Sequence, residues 1–285
     1  MIRLTRRQIL QGLMGLPILS LWPLGVTESK AQPPIGSGEE KRTSIGEFFR
    51  GEQLEYEMGF WLAKRAAMGK LTFKQHETQG RYVATLQTET LGVLGWVARY
   101  RVDVYRSTME EIDGGKRLRS LIFDEEVIIG GKRRRRSHTF DHVKRKWTVE
   151  RLRKNGTIDR TVRDIPKGKI YDDFVTAGYN FRYGVYGAIE RGKTYVVPTF
   201  PRKGASTYEI RVASVEEEQQ RRKSEKLKEG KDFYVKLQLD PDLTHSSEGI
   251  VEGWLSEDLY PIEGAIKDVM LVGDVTGKLV NRTKA

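Results

Sequence analysis

The chain contains no cysteine. Disulfide frameworks, thiolate metal sites and cysteine nucleophiles are therefore excluded. Histidine is scarce: only His76, His138, His142 and His245 occur. His138 and His142 stand four apart, which on a strand separates them by about 13 Å along one face, too far to share a metal. Helical spacing would permit a shared ion, but the surrounding residues do not read as a helix. No Gly-x-x-x-x-Gly-Lys-Ser/Thr loop, no dinucleotide fingerprint and no Gly-x-Ser-x-Gly elbow is present. His245-Ser246-Ser247 pairs a base with a nucleophile only by adjacency, and reads as a polar loop after Asp240-Pro241-Asp242. No catalytic residue, metal ligand or cofactor site is assigned from the sequence.

Acidic residues are also in deficit, 39 against 50 basic, so the 285 residues carry a net charge of +11. The surplus suits an anionic partner. A chain of this length can bury a sizeable core as one large β domain or two small ones.

The first 31 residues read as an export signal rather than as structure. Arg3, Arg6 and Arg7 form a basic head, residues 9–26 carry no charge, and Ser29-Lys30-Ala31 offers small residues for cleavage after Ala31. The run Thr5-Arg6-Arg7-Gln8-Ile9-Leu10 resembles a twin-arginine signal, with Arg6 and Arg7 as its pair. This places the mature protein in the periplasm, starting near Gln32. Loss of Arg3, Arg6, Arg7, Lys30 and Glu28 leaves 46 basic and 38 acidic residues, a net +8. The alternative is an uncleaved anchor in the inner membrane, because the 18 residues of 9–26 nearly reach the roughly 20 that span a bilayer. Residues 32–44, rich in Pro, Gly, Ser and charge, read as a flexible linker ahead of one β-rich domain over 45–285.

Beyond the linker, period-two alternation dominates. Leu54, Tyr56, Met58 and Phe60 fall on one face of a strand, opposite Glu55 and Glu57. Phe233, Val235, Leu237 and Leu239 repeat the pattern. Asn155-Gly156 between two such runs predicts a type I′ hairpin, and Gly114-Gly115, Gly130-Gly131 and Gln79-Gly80 are weaker turn signals. Two stretches break the alternation. Residues 171–186 predict a helix capped by Asp172 or Asp173, with Phe174, Val175, Tyr179 and Phe181 toward a core; as paired carboxylates the two aspartates are explained well enough by the cap. Residues 215–230 are almost wholly charged, with Glu217–Arg221 and Glu218–Arg222 at helical spacing. Lacking an apolar stripe, they read as a solvated helical excursion or a mobile loop between strands. The fold class is mainly β: a strongly curved antiparallel sheet, open or half-closed like a barrel, with one short helical insertion and a charged excursion.

The densest charge is Lys132, Arg133, Arg134, Arg135 and Arg136. One reading is a contact surface for anionic lipid or another acidic envelope component; the other is a solvent-facing hairpin that blunts a sheet edge. Nucleic acid is disfavoured, since only Phe140 and Trp147 offer stacking rings nearby.

Four landmarks then carry a resemblance: residues 51–56 (GEQLEY) with 69–73 (GKLTF), residues 171–177 (YDDFVTA) ahead of Gly187 and Gly192, residues 254–262 (WLSEDLYPI), and residues 272–279 (VGDVTGKL). In order and spacing they resemble the bacterial envelope family catalogued as domain of unknown function 3108, from about Phe49 to Leu279. The resemblance implies an exported antiparallel β protein with a barrel-like sheet and a small helical insertion, and supplies no catalytic residues. The arginine run and the charged insert depart from it. Three functions are weighed: a non-enzymatic carrier of an apolar or amphipathic envelope ligand, a structural or assembly factor using the basic hairpin, and a hydrolase of envelope polymers, for which no convergent acid, base or nucleophile is found. Protein partners are unknown.

Overall fold

In the computed structural model, residues 43–60, 63–92, 99–153, 155–202, 205–225, 233–244, 246–269 and 273–284 are described. The expected export signal, including Arg6, Arg7 and Ala31, lies outside them, as does His245. Of the stretch expected as linker only Thr43 and Ser44 are described. Ser44 caps α1 (Ile45–Phe49) by accepting the Glu47 amide, and Ile45 and Phe49 are buried. This short helix had no signal in the sequence reading.

Alternation is realised as one antiparallel sheet. Its strands are β1 (Glu52–Phe60), β2 (Ala63–Gln75), β3 (Arg81–Thr90), β4 (Val102–Ile112), β5 (Arg117–Ile129), β6 (Lys132–Asp141), β7 (Lys146–Leu152) and β8 (Ile158–Asp164). After α2 (Phe174–Tyr183) come β9 (Thr194–Arg202), β10 (Ala205–Val212), α3 (Val215–Glu225), β11 (Phe233–Gln238), α4 (Pro241–Thr244), β12 (Ile250–Leu255), β13 (Pro261–Val269) and β14 (Gly273–Lys284). The order across the sheet is β8-β7-β6-β5-β4-β3-β2-β1-β14-β13-β12-β11-β10-β9. Every sequential pair is a hairpin neighbour except β8 and β9, which form the two edges. The sheet is thus barrel-like but open, as its sequence pattern predicts. A hairpin stands at Asn155-Gly156 as expected, but not as a type I′ turn. Gly156 has φ +82° while Asn155 is outside the left-handed region, and the Arg153 amide closes the longer loop on the Thr157 carbonyl. Trp254 and Leu255 end β12 and Pro261 opens β13, also as expected.

The chain crosses from edge to edge through α2, which packs on the concave side against β3, β4 and β5. Asp173 is its N-cap and Gly184, at φ +83°, closes its C-terminus in the left-handed region that glycine tolerates. Val175 and Tyr179 join a cluster with Phe49, Phe73, Phe123 and Trp147. Ala177 and Phe181 join a second with Tyr195, Val197, Ile210 and Leu255. The helix therefore fills the concavity between the two halves of the sheet.

The charged insert corrects an expectation. It forms α3, opened by a capping box in which Ser214 Oγ accepts the Glu217 amide and Glu217 accepts the Ser214 amide. It is not wholly solvated. Glu218 is buried, accepting the Tyr234 amide at 3.1 Å and pairing with Arg191 at 2.8 Å. Arg221 and Arg222 lie over the rings of Tyr234 and Trp254, at 5.2 and 4.3 Å. Without an apolar stripe, the helix covers convex-face aromatics with arginine stems and their charged planes.

Candidate functional site

Hairpin geometry decides what the arginine run can do. Gly130-Gly131 turns β5 into β6 so that Glu125 faces Arg136, Glu126 faces Arg135 and Ile128 faces Arg133. Successive side chains point to opposite sides of a sheet. Arg133 and Arg135 therefore share the convex side, and Arg134 and Arg136 the concave side with His138. Arg133 bridges to Glu126 at 2.5 Å, Arg135 to Asp124 at 3.2 Å and Arg136 to Glu125 at 3.6 Å. Five consecutive basic residues thus make two sparser rows: acids of β5 meet Arg133 and Arg135 on one side and Arg136 on the other, while Arg134 faces Val127 and Lys132 faces Ile129. The run blunts no edge either, because β6 lies two strands inside β8.

His138 and His142 serve packing. His138 is buried in a stack with Phe123, Trp147 and Phe200. Its Nδ1 accepts the Trp147 indole N–H, so Nε2 carries the proton and donates to Glu125 at 3.1 Å. Burial, then the charge of Arg136, pulls its pKa down to about 3, so the ring stays neutral. His142 sits in the β6–β7 turn and reaches the Ser120 carbonyl at 2.8 Å. Burial lowers its pKa. Among the described residues no cluster has the makings of a metal site. Ser246 Oγ is held by Thr244 and the Gly249 amide, a structural role.

Where the chain enters α2, polar groups converge inside the protein. Asp173, fully buried, accepts five hydrogen bonds: Oδ1 takes the amides of Val175 and Thr176, and Oδ2 takes the hydroxyls of Ser107, Ser120 and Thr176 at 2.6–2.8 Å. Asn180 completes β5 beyond the end of β6, accepting from the Leu118 amide and donating to its carbonyl, both at 2.9 Å. Asp172 directs Oδ2 to Arg117 at 2.6 Å, Tyr186 at 2.8 Å and Asn180 at 3.3 Å. Its Oδ1 has no hydrogen-bond partner among the described residues. Asp172, Asp173 and Asn180 are fully buried, and the constellation anchors the helix.

Burial pushes the Asp172 carboxyl up to about 6, against the pull of the Arg117 guanidinium. Between the ordinary value of 3.8 and about 6, the folded protein holds a proton that the unfolded chain has released. The group's contribution to stability is therefore greatest at low pH and declines as pH rises through that window. Asp172→Asn should flatten the dependence of Tm on pH there. Profiles that run parallel for both proteins would refute the assignment.

Above α2 the concave face is different. Cross-strand register puts Tyr56, Met58 and Phe60 of β1 on the same side as Val275 and Leu279 of β14, and Ile266 of β13. All six are half-buried. Gly253, Gly264 and Gly277 are direct cross-strand partners, and Gly277 in turn faces Met58. Interior-strand glycines mark tight bends or close approaches. At Gly253 a Cβ would stand 2.3 Å from the Glu263 carbonyl oxygen, a crease in the sheet. At Gly277 it would meet only Met58 Cγ at 3.8 Å, leaving room. The result, among the described residues, is a half-exposed apolar stretch of the concave face, a trough. Two small depressions lie elsewhere: about 280 Å³ on the convex side between Glu57, Lys278 and Glu263, and about 90 Å³ beside Arg119, His142, Arg145 and Lys169.

The model of the family described as "Protein of unknown function (DUF3108)" matches residues 55–280. The chain belongs to this family. The DUF3108 match runs from β1 to β14 and thus spans the strands, α2 and the trough. No curated protein matches the sequence. Among solved structures, the chain is similar to a β-barrel-like protein of domain of unknown function DUF1849 from Brucella abortus, with 11% identity and a TM-score of 0.44. That likeness covers 82% of this chain and 97% of the other.

Proposed function

We propose that this DUF3108 protein is an exported, non-enzymatic envelope component that holds an apolar or amphipathic ligand, such as a lipid, against the open part of its concave face. The reading is carried by the trough: six half-buried apolar side chains on three neighbouring strands, beside a row of glycines that keeps the surface low. Apolar concavities with a few polar groups at the margin are the usual form of a small-molecule site. The lower concavity is occupied by α2 and its aromatic neighbours, so a ligand has the upper part alone. An acyl chain lying along the strands fits that shape. The basic hairpin gives less support to an assembly role at an anionic membrane surface, because acids of β5 meet Arg133, Arg135 and Arg136.

The test is native mass spectrometry of the protein purified from an envelope fraction, followed by titration with a fluorescent acyl probe. Retained lipid and saturable uptake are expected. Gly277→Trp, which fills the trough where a side chain has room, should weaken uptake about tenfold, equivalent to about 1.4 kcal/mol, without a change in melting temperature. A chain that is always empty and takes up no probe would end the reading.

A further inference from the structure

The two edges of the sheet are guarded unequally. β9 carries Pro198 and Pro201, which have no amide to donate, and the Pro198 carbonyl already accepts the Asp172 amide at 3.1 Å. β8 has neither proline nor bulge: its register with β7 runs unbroken from Lys146↔Asp164 to Leu152↔Ile158. It has no strand partner on its other side among the described residues.

Which groups of β8 face outward follows from its flanking bonds. Ile165 N donates to Arg145 O and Arg153 N donates to Thr157 O. Odd-numbered residues therefore turn their amides and carbonyls toward β7. Ile158, Arg160, Val162 and Asp164 present theirs to the open edge.

We propose that this edge pairs with β8 of a second copy of the chain, antiparallel, about a twofold axis at Thr161. The outward groups permit only registers that place the axis on a residue. Centring on Thr161 matches Ile158 with Asp164 and Arg160 with Val162 of the other copy, which uses every outward group, roughly eight hydrogen bonds at two per pair. It also places Asp159 opposite Arg163 twice, opposite charges in directly facing positions. Centring on Arg160 would set two arginines against each other, and centring on Val162 leaves Ile158 unused. Apolar surface supports the same occupant: Ile158 and Val162 are 65% and 52% exposed on the convex side, beside Leu152 at 40%. An isologous contact of this kind closes after two copies, so it ends in a dimer rather than a filament. The inference is independent of the trough.

The absence of native cysteine makes the test direct. The full chain should sediment as a dimer at tens of micromolar. Thr161→Cys should form an intermolecular disulfide under mild oxidation, since a non-hydrogen-bonded pair holds its Cα atoms about 4.5 Å apart. Val162→Pro removes one outward amide without touching β7 and should weaken the dimer at least about tenfold. Asp159→Arg should do the same, and Asp159→Arg with Arg163→Asp should restore it. A monomeric parent chain, or a dimer untouched by Val162→Pro and by Asp159→Arg, would overturn the proposal. A dimer whose Thr161→Cys variant does not cross-link would do so as well.

Discussion

Asp173→Ala should cost on the order of 4 kcal/mol and lower Tm by roughly 10 °C. The carboxylate ends α2 and at the same time collects hydroxyls from two neighbouring strands, Ser107 on β4 and Ser120 on β5. Truncation strands two buried helix amides and leaves the three buried hydroxyls with only one another and the residue-173 amide as partners. A cap alone is worth about 1 kcal/mol, and each unsatisfied buried group adds about 1–3. Ser107→Ala should cost much less, because the carboxylate keeps four other donors. Thermal melts of the two variants distinguish the cases; an Asp173→Ala protein melting within about 2 °C of the parent would show that the network does not hold the helix.

Glu52→Ala is expected to be comparably severe. Arg182, near the end of α2, makes a bidentate pair with Glu52 at the start of β1, with nitrogen–oxygen distances of 2.7 and 2.6 Å, and donates Nε–H to the Leu259 carbonyl. Its guanidinium also lies over the rings of Phe49 and Tyr179, at 4.7 and 5.3 Å. Both charges are buried. Removing one partner leaves the other desolvated and uncompensated, typically a loss of about 3–5 kcal/mol. Replacing both together, Glu52→Leu with Arg182→Met, should recover most of it, because no lone charge remains inside. Urea midpoints at unchanged slope provide the measurement. A double variant no more stable than Glu52→Ala would contradict the account.

Neither residue could be singled out beforehand. Glu52 looks like one more polar residue in an alternating strand, and Arg182, 130 positions further on, like a basic residue near a helix end. The arginine run shows a different kind of difficulty. Its pairing was implicit in the sequence, since a turn at Gly130-Gly131 sets Glu125 against Arg136 and Glu126 against Arg135. Counting like charges along the chain hides this, because a strand sends alternate residues to opposite sides and the neighbouring strand brings the counter-charges. The insert at α3 misled for a related reason: absence of an apolar stripe implies solvation only if arginine stems cover nothing, and here they cover Tyr234 and Trp254.

What the amino-acid order determined by itself was local: which residues extend, where glycine pairs reverse the chain, that Asp172 or Asp173 opens a helix, and that consecutive strands pair as neighbours. These depend on contacts a few residues apart, so a short window contains their causes. The trough, the enclosed polar anchor of α2 and the unequal edges were decided only in three dimensions. Each requires β1 to lie against β14 and α2 to enter the concavity, and such long-range closure is set by the sum of packing over the whole sheet, which no local pattern encodes.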